Sequence, residues 1–284
     1  MIRCVGRCGR AEQMPLTTAQ AVGAFVTTVT MLSMVKDYCL GLQSPYGRYS
    51  NAVANAPDAP FRLRADLPIP ARRAWFLMEA PSLVVGAAVL LWARAAGRGD
   101  AHGYAVAIMF VGHYAARTAT FSLFSKGGKP MPLLIMAFGS VFTLLNGFAQ
   151  TYHHLFETPL GAAASNAPLL YMERFVGLAL FASGAAVNHY ADHVLRTLRK
   201  SDADGGYYVP RGPFFDTFVA PNLVGEIVEW IGYALFAGTG VAWGFAACTL
   251  SNLGLRAVGH KAFYRAKFKE EFPSSRAALI PGVL

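Results

Sequence analysis

Seven long apolar stretches dominate the sequence and restrict the folds that are available to it. They cover residues 17–35, 74–93, 103–124, 131–151, 168–190, 218–237 and 239–255. Each is close to the roughly 20 residues that a helix needs to cross the hydrocarbon core of a bilayer. Because lipid offers no hydrogen-bond partners to an open backbone, such segments fold as helices. The sequence therefore predicts an all-α integral membrane protein, a bundle of seven transmembrane helices.

The amino-acid composition supports a single membrane domain over residues 1–284. Charged residues make up 14% of the chain and hydrophobic residues 54%, whereas a soluble domain carries about 25% charged residues. The connections between the apolar stretches are too short to hold a soluble domain. Residues 1–14 form a basic N-terminal extension that lacks the apolar core of a secretory signal.

The formal net charge of +9 has a simple explanation in a membrane protein. In a soluble chain it would suggest nucleic acid as a partner. Here most Lys and Arg residues fall in alternate loops, at 36–73, 125–130 and 191–217, and after residue 255. The positive-inside rule accounts for this distribution. We therefore expect a cytosolic C-terminus, a lumenal or external N-terminus, membrane lipid as a partner and no nucleic acid.

Polar residues interrupt or follow five of the apolar stretches at helical spacing. In chain order they are Trp75 and Glu79; His113, Tyr114 and Arg117; Asn188, Asp192, Arg196 and Arg199; Asn222, Glu226, Glu229 and Trp230; and Arg256, His260 and Tyr264. Spacings of three, four, seven, eight or eleven residues place most members of each set on one helical face. Ionisable groups inside a membrane usually face the bundle interior and mark a functional site. The five sets predict one polar site toward the cytosolic side.

Two kinds of catalytic site are disfavoured by the motifs. His189 and His193 have the spacing of a di-iron box, but such enzymes need more histidines than the seven in this chain. The adjacent pair His153-His154 is predicted to lie toward the opposite membrane face. We therefore expect no metal. The chain also lacks the Gly-x-Ser-x-Gly motif of α/β-hydrolases and the Gly-x-Gly-x-x-Gly motif of soluble dinucleotide-binding domains.

The polar residues favour an anionic ligand that also has hydrogen-bonding groups. Arginines hold phosphates through paired hydrogen bonds, and four are suitably placed: Arg117, Arg196, Arg199 and Arg256. Carboxylates and amides can bind ribose hydroxyls and an amide group, and four of these lie nearby: Asn188, Asp192, Asn222 and Glu226. The glycine-containing loop at residues 126–130 adds two lysines. Together these residues predict a nucleotide.

Five blocks of the sequence resemble the steroid 5α-reductases, the 3-oxo-5α-steroid 4-dehydrogenases. They are residues 75–83; 113–118 with 126–133; 188–192 with 195–200; 207–212 with 220–234; and 254–257 with His260, Tyr264 and the tail through Pro281. The most specific block is Asn222-x-x-x-Glu226-x-x-Glu229-Trp230, taken together with the C-terminal block. The resemblance runs from about Trp75 to the end, and residues 131–284 form the reductase-like region.

The resemblance implies a seven-helix membrane enzyme, located in the endoplasmic reticulum in eukaryotes. Such enzymes use NADPH to reduce the C4–C5 double bond of a 3-oxo-Δ4-steroid. Glu79 and Tyr114 match the pair that contacts the steroid C3 ketone, and an apolar pocket favours the protonated form of such a carboxyl group. The resemblance also implies a set of residues that match the family's cofactor-binding positions. They are Trp75, Arg117, Asn188, Asp192, Arg199, Tyr207, Asn222, Glu226, Trp230, Arg256, His260 and Tyr264.

Several departures from the family pattern leave the substrate open. Phe121 replaces a usual tyrosine, and Ala80 replaces the leucine that usually follows the catalytic glutamate. These changes allow a different sterol, or the substrate of a related reductase that acts on a polyprenol or a trans-2-enoyl-CoA. A further alternative is a transporter or receptor that binds a sterol or an anion without chemistry.

Overall fold

The computed structural model describes residues 16–39, 68–124, 128–158, 168–198 and 206–283, and long helices dominate them. In chain order the helices are α1 (Thr18–Cys39), α2 (Ala71–Ala95), α3 (Ala101–Phe124), α4 (Leu133–Tyr152), α5 (Pro168–Thr197), α6 (Pro221–Ala237) and α7 (Gly240–Phe268). A π-helical turn, His153–Glu157, continues α4, and a 3₁₀ turn, Lys269–Glu271, follows α7. Two short strands, β1 (Pro68–Ile69) and β2 (Met131–Pro132), pair antiparallel and join the starts of α2 and α4.

Three of the described helices are long and apolar enough to cross a membrane. They are α2, α4 with its π-helical turn, and α5. The protein is therefore an all-α membrane protein, as the sequence predicted. The expectation of seven crossings, and of a cytosolic C-terminus, stays a prediction.

Two helices extend well past the apolar stretches from which they were predicted. Helix α5 ends at Thr197 rather than at residue 190, and α7 ends at Phe268 rather than at residue 255. A helix that leaves the hydrocarbon layer keeps its internal hydrogen bonds, so a loss of apolar character does not end it. Helix α6 begins later than predicted, at Pro221, because proline suits the first helical position and residue 218 pairs with the C-terminal tail.

The turn between α6 and α7 is tight. Gly238 ends α6 with a φ of 67°, a conformation that favours glycine. Thr239 then caps α7, and its side chain accepts a hydrogen bond from the amide of Ala242. This turn makes α6 and α7 an antiparallel hairpin.

The helices form a closed arrangement in which α5 has an outer position. Helix α2 packs against α3 and α4, and α1 packs against α4 and α7. Helix α6 packs against α7 and α3, which closes the arrangement, and α5 packs mainly on α6. Aromatic rings fill the interior where α3, α6 and α7 meet: Phe110, Tyr114, Trp230, Tyr233 and Phe245.

Glycines allow α5 and α6 to approach until their backbones touch. A Cβ atom at Gly184 would lie 2.4 Å from the Glu229 amide nitrogen and 2.6 Å from the Gly225 carbonyl oxygen. A Cβ atom at Gly225 would lie 2.7 Å from the Asn188 amide nitrogen. Small residues at such contacts are typical of helix pairs in membranes. The close approach brings the short polar side chains of α5 and α6 within reach of each other.

We expect Gly184→Ala to destabilise the protein because the added methyl group would overlap the backbone of α6. Overpacking of this kind costs about 1–3 kcal/mol, and the melting temperature in detergent should fall accordingly. Gly112→Ala in α3 is the matched control, since no atom lies within 4 Å of a Cβ placed there. Equal melting temperatures for the two variants would contradict the proposed close packing.

Candidate functional site

The guanidinium group of Arg117 lies between carboxylates from three other helices. Its Nη2 atom is 3.3 Å from Glu79 Oε1 on α2. Its Nη1 atom is 3.3 Å from Glu226 Oε2 on α6 and 3.7 Å from Asp192 Oδ2 on α5. All four side chains are largely buried. A planar guanidinium with several N–H groups suits this arrangement, because it can face more than one carboxylate at once.

Two asparagines extend this arrangement across the interface between α5 and α6. Asn188 Nδ2 donates to Glu226 Oε2 at 3.1 Å and to the carbonyl oxygen of Asn222 at 3.0 Å. Asn222 Nδ2 donates to Asp192 Oδ1 at 3.0 Å. The structure thus brings together six residues that the sequence placed on separate stripes. We call Glu79, Arg117, Asn188, Asp192, Asn222 and Glu226 the polar cluster.

The charges of the polar cluster indicate what it can bind. Three carboxylates face one guanidinium, so the cluster is acidic when all three are ionised. The buried Oδ1 atom of Asn188 has no hydrogen-bond partner among the described residues. Carboxylate and amide oxygens accept hydrogen bonds. The polar cluster therefore suits a ligand that presents hydroxyl or amide N–H groups, rather than the phosphates of an anion.

Tyr114 and Glu79 lie beside each other at the edge of the polar cluster. Tyr114 is 5% exposed, and its ring packs on Phe110 and Trp230 with centroid distances of 4.8 and 6.2 Å. Its hydroxyl group lies near the side chains of Ser82 and Glu79. Ser82 is three residues after Glu79, on the same face of α2. A carboxyl group and a phenol therefore adjoin an aromatic, apolar surface.

The α7 residues Arg256, His260 and Tyr264, which we call the α7 wall, follow one another at four-residue spacing on one face of the helix. His260 and Tyr264 are buried, and the ring of Tyr264 lies between Phe268 and Phe272. Ala257, next to Arg256, packs against the start of α6, in a small apolar contact with Ala220, Leu223 and Ala278. Asn222 belongs to the same end of α6, so this part of α7 packs against the segment that carries Asn222.

The remaining residues that were predicted to bind the cofactor lie in different surroundings. Trp230 is 1% exposed and packs in the aromatic interior, against Phe245 at 4.5 Å. Trp75 is half-buried one turn before Glu79. The ring of Tyr207 contacts Phe263 and the ammonium group of Lys267. Arg199 and Lys126 lie outside the described residues.

The C-terminal tail contributes a buried arginine that sequence reasoning missed. Arg276 is 2% exposed, and its Nη1 atom donates to the Pro210 carbonyl oxygen at 2.9 Å. Ala277 forms backbone hydrogen bonds with Thr217 and Val219. The tail therefore holds in place the segment before α6, which is the segment that contains Tyr207. A single basic residue in a tail rich in lysine and arginine carries no signal of such burial.

A second buried ionisable pair joins α3 to α6 beside Tyr114. His113 Nδ1 lies 2.6 Å from Glu229 Oε1, and the His113 ring packs edge-on against Trp230 at 4.5 Å. Both residues belong to the predicted polar stripes, but no role was predicted for either of them. The pair fixes the helix faces that carry Tyr114 and Glu226.

Comparisons with known proteins agree with the family resemblance. The family model described as 3-oxo-5-alpha-steroid 4-dehydrogenase matches residues 129–284. The 3-oxo-5-alpha-steroid 4-dehydrogenase 2 of Rattus norvegicus is 35% identical over 272 residues, which cover 95% of this chain and 97% of that protein. The Homo sapiens protein of the same name is 39% identical over 242 residues, covering 84% of this chain and 87% of that protein. The 3-oxo-5-alpha-steroid 4-dehydrogenase 1 of Rattus norvegicus is 37% identical over 248 residues, covering 85% and 86%.

These matches, together with the polar cluster and the adjoining tyrosine, establish the class of the protein. The chain belongs to the 3-oxo-5-alpha-steroid 4-dehydrogenase family, whose members are oxidoreductases that act on a CH–CH group.

We expect Arg117→Met to destabilise the fold strongly, because it leaves the facing carboxylates without a counter-charge. Removing one partner of a buried ion pair costs about 3–5 kcal/mol. Thermal unfolding in detergent provides the measurement, and Arg94→Met, at an exposed position in the last turn of α2, is the control. If both variants unfolded at the wild-type temperature, the polar cluster would not hold the helices together.

Proposed function

We propose that this protein reduces the C4–C5 double bond of a 3-oxo-Δ4-steroid, with NADPH as the reductant. The proposal rests on the position of Glu79, which contacts Arg117 of the polar cluster and lies near Tyr114 of the aromatic interior. Family membership supports the reaction class. When bound, NADPH supplies the hydride that is added at C5 of the steroid.

Glu79 and Tyr114 are proposed to bind the C3 ketone oxygen. As a hydride reaches C5, electron density moves through the enone to that oxygen, and two donors placed there stabilise the developing charge. A carboxyl group can donate only when it carries its proton. In the proposed reaction Glu79 therefore acts in its protonated form, as the second donor beside Tyr114.

The reaction is completed by a proton at C4. Hydride addition at C5 converts the enone into an enolate, whose oxygen remains bound to Glu79 and Tyr114. Protonation at C4, by solvent or by a nearby acid, restores the ketone. The steroid gains one hydride and one proton in all, and the residues at the ketone return to their starting protonation states.

The aromatic interior is proposed to provide the apolar surface for the steroid skeleton. Phe110, Trp230 and Phe245 pack around the Tyr114 ring, and all are buried. Aromatic side chains of this kind suit a flat, rigid hydrocarbon. A lipophilic substrate of this class dissolves in the bilayer, so we propose that it enters between helices from the membrane.

The residues of the polar cluster fit the ribose and carboxamide parts of NADPH. Asp192, Glu226 and the unpartnered Oδ1 atom of Asn188 accept hydrogen bonds from hydroxyl or amide groups. Phosphates need cations, and Arg196, whose buried Nη1 atom has no partner among the described residues, is one candidate. Arg256 on the α7 wall is a second candidate, and Arg199 a third.

We also propose seven membrane crossings, with the polar cluster and the C-terminus on the cytosolic side. The distribution of Lys and Arg supports this orientation, and it exposes the α7 wall to cytosolic NADPH. In a eukaryotic cell the family resemblance favours the membrane of the endoplasmic reticulum.

The purified protein should oxidise NADPH when progesterone or testosterone is added, and the product should be the 5α-reduced steroid. Absorbance at the NADPH band and mass spectrometry of the product provide the measurement. A panel with a trans-2-enoyl-CoA and a polyprenal tests the related reductases. If NADPH were oxidised only with one of these two compounds, the substrate would be of that class and not a steroid. Sterol binding without oxidation of NADPH by any enone would indicate a transporter or receptor.

Glu79→Gln should lower kcat with the steroid by at least about 100-fold, the loss typical of one oxyanion-hole donor. Glutamine has nearly the same shape, so NADPH binding should change little. Glu173→Gln, at an exposed position of α5, is the matched control and should keep the wild-type rate. A wild-type rate for Glu79→Gln would remove Glu79 from the ketone site.

A further inference from the structure

Helix α2 contains a proline two residues after Glu79. Pro81 has no amide hydrogen, so the carbonyl group four residues earlier, at Leu77, receives no helical hydrogen bond. The proline ring also crowds this turn of the helix, which includes the Met78 carbonyl group. Inside a membrane such carbonyl groups need another donor, because lipid supplies none. The helix nevertheless continues through Pro81 to Ala95.

Two hydroxyl groups of α4 reach these carbonyl groups. Ser140 Oγ donates to the Leu77 carbonyl oxygen at 2.9 Å. Thr143 Oγ1 donates to the Met78 carbonyl oxygen at 2.6 Å. Both hydroxyls also lie within reach of carbonyl groups of α4 itself, so each proton is shared. Residues 140 and 143 are one turn apart and therefore face α2 together.

Glycines on both sides of these hydroxyls allow α2 and α4 to come this close. A Cβ atom at Gly139 would lie 2.6 Å from Met78 Cε, and one at Gly147 would lie 3.0 Å from Ser82 Cα. The hydroxyl contacts are therefore part of a packed interface. Any rotation of α2 about Pro81 would break them.

The same interface holds the side chain of Ser82, which lies near the Tyr114 hydroxyl group. Ser82 Oγ donates its proton to the Thr143 carbonyl oxygen at 2.7 Å. Because that proton is engaged, Ser82 Oγ offers only acceptor lone pairs to its other neighbours, and the Tyr114 side chain is one of these. Thr143 thus contacts α2 twice, through its hydroxyl beside Glu79 and through its carbonyl group at Ser82.

We propose that Thr143, with support from Ser140 and Ser82, is a positioning residue for the catalytic pair Glu79 and Tyr114. This inference rests on the proposed function, in which both groups bind one ketone oxygen. Ser140 supplies the donor that the Leu77 carbonyl group lacks, and the hydroxyl of Thr143 binds the next carbonyl group, that of Met78, directly beside Glu79. Its carbonyl group orients Ser82 toward Tyr114. Thr143 itself touches neither substrate nor cofactor.

Thr143→Val tests the proposal, because valine keeps the shape and removes the hydroxyl group. We expect kcat with the steroid to fall by about 10-fold or more, as a small misplacement of catalytic groups does. The KM for NADPH should stay unchanged, since the cofactor residues lie on other helices. Thr143→Ser, which retains the hydroxyl, should recover most of the activity. If Thr143→Val turned over at the wild-type rate, the proposal would be overturned.

Thr151→Val is the matched control for a buried threonine of the same helix. Its hydroxyl group donates to the Gly147 carbonyl oxygen within α4 and contacts no carbonyl group of α2. We expect wild-type kcat and KM for this variant. An equal loss in Thr151→Val and Thr143→Val would show a general packing effect and overturn the positioning role.

A double-mutant cycle with Glu79→Gln separates positioning from stability. If Thr143 acts through the catalytic pair, Thr143→Val should cost much less in the Glu79→Gln background than in the wild type. Fully additive losses in kcat would contradict the proposal. Wild-type protein that reduces no 3-oxo-Δ4-steroid would instead overturn the proposed function, and the wild-type assay decides this point before any variant is compared.

Discussion

One ion-pair arrangement, the guanidinium of Arg117 among three carboxylates, determines how the functional half of the bundle is organised. Burying charge in a membrane protein is costly, and the cost is offset only when partners meet in good geometry. Glu79, Asp192 and Glu226 come from three helices, so α2, α5 and α6 can satisfy their polar residues only by meeting α3 at this level. The glycine contacts between α5 and α6 make this meeting possible.

The polar cluster also divides the interior into two environments. On one side lie carboxylate and amide oxygens, which we propose accept hydrogen bonds from the hydroxyl and amide groups of NADPH. On the other side, Tyr114 begins an aromatic region that extends through Phe110 and Trp230. Glu79 stands at the boundary, where an apolar substrate and a polar cofactor can approach each other. In the proposed reaction, hydride transfer takes place across this boundary.

Helical spacing was sufficient to predict the residues of the polar cluster, because a charged residue in a membrane helix usually faces the interior of the bundle. The stripes on α2, α3, α5 and α6 were read from spacing alone, and the structure brings them together at Arg117. The hydroxyls of Ser140 and Thr143 could not be predicted in this way, since serine and threonine often bond within their own helix. Arg276 was missed because its partners, Pro210 and Asp216, are distant in the sequence. Pro81 is plain in the sequence, but the α4 hydroxyl groups that bind the carbonyl groups of its helical turn become apparent only in the packed structure.

The account is tested most directly by following the hydrogen atoms into the product. The protein would be given testosterone and NADPH that carries deuterium at both C4 positions of the nicotinamide ring, in ordinary water. NMR spectroscopy of the reduced steroid would then locate the label. The account predicts deuterium at C5 and a solvent-derived hydrogen at C4. Deuterium at C4, or a product without label at C5, would contradict hydride transfer to an enone whose ketone is held by Glu79 and Tyr114.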